Sequence, residues 1–76
     1  MDLRSYISTL DTDAQAAFAG RCGISPNYLR VHVKYASKDP SVALIRALAR
    51  ESQGRVSIME VLHHYRVIDP GLASVA

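Results

Sequence analysis

The sequence predicts an all-α protein, a compact five-helix bundle, and three observations carry that prediction. Apolar residues recur three and four apart in separate windows along the chain, the spacing of one face of a helix. The windows open near aspartates or serines suited to helix capping and are separated by glycine, proline or short polar runs. No segment alternates convincingly enough for a central strand. A hydrophobic share of 49% against 21% charged residues is a globular composition, not a disordered one. A chain of 76 residues is one domain with a marginal core, which dimerisation would help.

The first helix is expected over Asp2 to Leu10, with Leu3, Tyr6, Ile7 and Leu10 inward and Asp2 as its cap. Asp11-Thr12-Asp13 is a polar break carrying caps for the second helix, Ala14 to Cys22, which buries Phe18, Ala19 and Cys22. Gly23 ends that helix, because glycine takes positive φ without a Cβ penalty, and Ile24 plugs the corner. Ser25 caps the third helix and Pro26 suits its first turn, where no N–H is missed. This helix runs from Pro26 to about Ala36, seated by Leu29 and Val33.

Ser37 to Pro40 breaks the pattern, since the residue before proline is pushed away from helix. The fourth helix is expected from Ser41 to about Ser52, with Val42, Ile45, Leu48 and Ala49 as its apolar face. Gln53-Gly54 closes it. Ser57 and Glu60 have the spacing of a capping box ahead of a fifth helix carrying Ile58, Val61, Leu62 and Tyr65. The domain is thus read as residues 1–66, with residues 67–76 a tail containing Asp69-Pro70-Gly71. A short edge strand at Arg66-Val67-Ile68 is the one alternative to helix and turn.

The functional reading rests on Gln15 to Lys34. There Gln15, Ala19, Gly23, Ile24 and Leu29 stand at the spacing of the helix-turn-helix of bacterial and phage repressors. The chain resembles the Cro/repressor family, including the small Cro-like and YdaS-like phage regulators, from about Leu3 to Tyr65. His32 departs from the pattern, standing where the family usually has an aliphatic residue, and Val33 follows it. That shift implies a slightly rotated or lengthened recognition helix. The resemblance implies a lambda-repressor-like DNA-binding domain whose third helix enters the major groove, N-terminal part nearest the bases.

On a helix seated by Leu29 and Val33 the opposite side carries Asn27, Arg30, Val31 and Lys34, the expected base contacts. Arg30 has the fork for guanine O6 and N7, Asn27 pairs with adenine N6 and N7, and Val31 touches a thymine methyl. Phosphate contacts are expected from Gln15, which resembles the family's phosphate-binding glutamine, and from Ser25, Tyr28 and Lys38. Charge runs the same way. Residues 14–50 hold Arg21, Arg30, Lys34, Lys38, Arg46 and Arg50 against Asp39 alone, a net of +5, while the segments before and after carry −2 and −1.

Other chemistries find little support. Adjacent His63 and His64 point about 100° apart on a helix and share one ion poorly. No Cys or His pair has finger spacing, and Cys22, the single cysteine, reads as a buried structural thiol in a reducing compartment. His32 reads as a packing or surface histidine. No apolar run approaches the ~20 residues of a membrane span. No glycine-rich loop follows a strand, and no catalytic triad stands out.

The expectation is therefore a sequence-specific DNA-binding transcriptional regulator, a Cro-like repressor of phage or bacterial origin. It would act in the cytoplasm on the nucleoid and bind duplex DNA at a palindromic operator as a homodimer. No cofactor, metal, membrane, small-molecule ligand or enzymatic activity enters this reading. The fourth and fifth helices, through Val61 and Leu62, are the expected dimer surface. Two alternatives remain: a DNA-binding antitoxin repressing its own operon, and a helical protein-interaction module that binds no DNA.

Overall fold

The structure, a computed structural model, describes residues 1–67. Among these residues the chain is all-helical, with five helices and no strand. They are α1 (Leu3–Thr9), α2 (Thr12–Arg21), α3 (Pro26–Tyr28, continuing as a π-helical turn Leu29–Val33), α4 (Val42–Glu51) and α5 (Ile58–His64).

Every helix starts on a side-chain cap. Asp2, Asp11, Ser25, Ser41 and Ser57 lie in extended backbone, and each accepts a hydrogen bond from the N–H three residues on. At α5 the bond is returned: Glu60 accepts from the Ser57 N–H, completing the expected capping box. Such caps satisfy donors that a helix cannot bond internally, each contributing about 1 kcal/mol.

The core gathers one face from each helix: Leu3, Tyr6 and Ile7 of α1, Phe18 and Ala19 of α2, Leu29 and Val33 of α3, Leu44, Ala47 and Leu48 of α4, and Val61 of α5. Val56, in the turn before α5, completes it. Tyr6 meets Phe18 edge-on, ring centroids 5.3 Å apart. Helix α2 packs on α3 and α4, while α5 packs on α1 and α4. Burying a side chain of the size of Leu or Phe contributes roughly 1.5–3 kcal/mol, so these contacts dominate the fold's stability.

Two expectations about packing are corrected, and one alternative is set aside. The buried face of α4 is turned from the expected one: Leu44 and Ala47 are inside, and Val42 is 63% exposed. Val42 sits in the first turn of α4, where nothing covers it. Val61 is 0% exposed within one chain, so it belongs to the core and not to a dimer surface; Ile58 and Met59 are the apolar residues α5 leaves in solvent. Finally, Arg66 is in a left-handed turn and Val67 in a bend, so neither begins an edge strand. Ile68 and the rest of the expected tail lie outside the described residues.

The α4–α5 connection contains a buried polar group. Ser52 is 1% exposed; its hydroxyl donates toward the Ala49 carbonyl at 2.7 Å and accepts from the Val56 N–H at 3.0 Å. That hydroxyl holds the returning chain against the end of α4 and leaves no buried donor unpaired there.

Candidate nucleic-acid interface

The α2–α3 corner is built as the residues dictate. Gly23 has φ 75°, its N–H bonds the Gly20 carbonyl at 3.1 Å, and the Ile24 N–H bonds the Ala19 carbonyl at 3.0 Å. This is the Schellman closure, and half-buried Ile24 packs on the core just beyond it. The chain then enters α3 in extended backbone at Ser25, whose Oγ accepts from the Tyr28 N–H at 3.0 Å.

Leu29 and Val33 are both 0% exposed and fix which side of α3 faces the protein. Between them the helix widens: the Lys34 N–H bonds the Leu29 carbonyl at 2.9 Å, five residues back instead of four. The lengthened turn falls at His32, the position that departs from the repressor pattern. The half-buried His32 ring lies 5.0 Å from the Tyr28 ring, and its Nδ1 is 2.8 Å from the Ser37 hydroxyl. His32 thus packs along the helix and ties down the chain that leaves it.

The expected base contacts fall on one exposed stretch. Asn27, Arg30 and Val31 are exposed, and Lys34 is half-buried with its ammonium 5.6 Å from the Tyr35 ring centroid. Of the expected phosphate contacts, Ser25 is exposed and keeps its hydroxyl hydrogen for an outside acceptor, because the cap uses only its lone pair. Tyr28 is half-buried, and the exposed Lys38 places its ammonium 5.9 Å from the Tyr28 ring centroid.

Gln15 has a different task from the one expected. Its Nε2 donates to the carbonyls of Ile7 and Leu10, both at 3.2 Å, which closes the C-terminal end of α1. Both amide hydrogens are engaged, and the remaining oxygen only accepts, so the side chain has no donor left for phosphate.

The basic residues also divide. Glu51 carboxylate oxygens lie 3.4 Å from Arg21 Nε and 2.8 Å from Arg50 Nε; the first pair ties α2 to α4, and the second joins neighbours at the end of α4. Among the described residues, Arg30, Lys34, Lys38 and Arg46 form no ion pair. Cys22 is half-buried, and burial, with Glu51 adding to it, pushes its thiol up to about 11; it is a packing group, not a nucleophile. Among the described residues no group of histidine, cysteine and carboxylate side chains is placed to hold a metal, and no helix is long and apolar enough to cross a membrane.

Reading the sequence missed Arg4, Tyr35 and Arg66, which the fold brings together at the far end of α3. Comparison with family models, with curated proteins and with solved structures finds no match for this chain.

Proposed function

We propose that this chain is a sequence-specific DNA-binding transcriptional regulator of the Cro/repressor type, with α3 lying in the major groove. The observation that carries the reading is the exposed side of α3: Asn27, Arg30 and Val31 in solvent, with Lys34 beside them, on a helix held by Leu29 and Val33. Those side chains are the donors and the apolar group that base edges demand. Ser25, Tyr28 and Lys38 flank them as phosphate contacts; Gln15 is left out, having no free donor. One such domain reads few bases, so a homodimer on a palindromic operator is the proposed assembly, acting on the nucleoid in the cytoplasm.

Selection from a random duplex library at moderate salt, with wild type and Arg30→Ala, tests this directly. Wild type enriches a palindromic motif, and the variant loses one base preference within it at a cost of about 1–3 kcal/mol. An antitoxin would give the same motif, and would differ in having a neighbouring toxin gene under that operator. Absence of any duplex binding would overturn the proposal and leave the protein-interaction module.

A further inference from the structure

Arg4 and Arg66, which lie outside the proposed base-reading stretch, meet Lys34, the last residue of that stretch, at one cleft. Arg4 of α1, Lys34 and Tyr35 at the end of α3, and His64, Tyr65 and Arg66 at the end of α5 line a cavity of about 440 Å³. Among the described residues no carboxylate lines it. The Arg4 guanidinium carbon lies 5.0 Å from the Tyr35 ring centroid and the Lys34 ammonium 5.6 Å from the same ring, so two cations share one exposed aromatic platform.

Two C-terminal helix ends border this cleft, and their negative poles would oppose an anion if left open. Both are closed. His64 Nε2 donates to the Val33 carbonyl at 2.6 Å, and the Ala36 N–H donates to the same oxygen at 3.1 Å. The Arg66 N–H takes the His63 carbonyl at 3.0 Å and the Val67 N–H takes that of Leu62 at 2.9 Å.

Three non-glycine residues of the described chain have positive φ, and two of them, Ala36 at 52° and Arg66 at 58°, line this cleft. All three, Gln53 included, stand just past the end of a helix, where a left-handed residue closes the last turn. At Arg66 this conformation sets a guanidinium on the cleft rim, where glycine would close the helix at lower cost.

We propose that this cleft binds a phosphoryl group. Arg4 and Arg66 offer planar forks to its oxygens, Lys34 adds a third cation, and the closed helix ends remove the opposing carbonyls. The group is either a backbone phosphate of the duplex that α3 reads, which alone rests on the proposed function, or the phosphate of a small free molecule.

The test is an NMR titration of the full chain with inorganic pyrophosphate against a chloride control, for wild type, Arg4→Gln, Arg4→Lys, Arg66→Gln and Arg55→Gln. Saturable shifts at Lys34, Tyr35 and Arg66, about tenfold weaker binding in Arg4→Gln and Arg66→Gln, an intermediate value in Arg4→Lys and no change in Arg55→Gln support the site. Shifts spread over all basic residues without saturation, or an Arg4→Gln curve equal to that of Arg55→Gln, overturn it. The source is read from duplex binding against salt. If the phosphate is that of DNA, Arg4→Gln and Arg66→Gln each lower the slope of log K against log salt by about one. Unchanged slopes with pyrophosphate binding intact assign the cleft to a free phosphorylated molecule. Pyrophosphate binding without any duplex binding would retain the cleft and remove the DNA reading.

Discussion

Helices α2 and α3 end in the same hydrogen-bond pattern and in different residues. After α2, Gly23 holds φ 75° and Ile24 follows onto the core; after α3, Ala36 holds φ 52° and Ser37 follows in solvent, its N–H on the His32 carbonyl at 3.0 Å. The front corner sets α3 on α2 with a residue that adopts the required backbone freely. The rear corner, beside the basic cleft, forces a Cβ-bearing residue into a conformation that costs about 1–2 kcal/mol. The difference teaches that stability is concentrated ahead of the proposed reading helix, while behind it strain is carried where charge is gathered.

The largest disturbance is one that removes the support common to both corners. Leu29 is 0% exposed and anchors α3 between them, so Leu29→Ala should cost about 2–5 kcal/mol, enough to unfold much of so small a domain. Urea unfolding followed by circular dichroism measures it. A loss below about 1 kcal/mol would mean that α3 is held mainly by its two ends, and the comparison of corners would have to be rebuilt.

A reciprocal pair of substitutions addresses the corners themselves. A Cβ at position 23 meets nothing within 4 Å, so Gly23→Ala isolates backbone conformation and should cost about 1–2 kcal/mol. Ala36→Gly removes the same penalty at the rear and should raise stability by about 1 kcal/mol. Paired thermal melts of the two variants measure both. Should Ala36→Gly destabilise, the Ala36 methyl packs more than it strains, and the contrast between the corners disappears.

How much of this was legible depends on whether a feature is local. Asp2, Asp11, Ser25, Ser41 and Ser57 act as caps because capping needs only the next three residues, and the Gly23 corner needs only five. The face of α4 was harder. Val42, Ala43, Leu44, Ile45, Ala47, Leu48 and Ala49 contain two overlapping stripes at helical spacing, and the neighbouring α2–α3 corner selects Leu44 and Ala47 over Val42. Gln15 was misjudged because its position on α2 is local, while the α1 carbonyls it reaches depend on how two helices meet. Charge counted by segment concealed the cleft: Arg4 and Arg66 sit in stretches of net negative charge, and only the fold sets them beside Lys34. The Ser52 hydroxyl is local, its partners Ala49 and Val56 being three and four residues away, but no residue type there marks the serine as buried.

The smallest expected effect separates the two ends of each helix. The C-terminal closure at Gly23 uses backbone groups alone and should be indifferent to pH, whereas that at Ala36 also engages the His64 ring through the Val33 carbonyl. Two N-terminal ends instead rely on carboxylates whose charged form the fold favours. Asp2 is held below its ordinary 3.8 by the Ser5 N–H and then the Ser5 hydroxyl, and Glu60 below its ordinary 4.5 by the chain's N-terminal ammonium, 2.8 Å away, and then the Ser57 N–H. Lowered folded values mean that the unfolded chain binds these protons first. Their stabilisation is therefore whole above about 4.5, and is lost as pH falls through the carboxylate range toward the folded values. Both groups are fully exposed, so the effect is modest and weakens with salt. Melting temperatures from pH 7 to pH 2.5 should stay level and then decline, and Glu60→Gln should delay the onset of the decline. Asn still caps a helix, so Asp2→Asn should flatten the remainder while keeping α1. A melting temperature that does not change down to pH 2.5, or declines identically in both variants, would show that the N-terminal ends are held by backbone as the C-terminal end of α2 is.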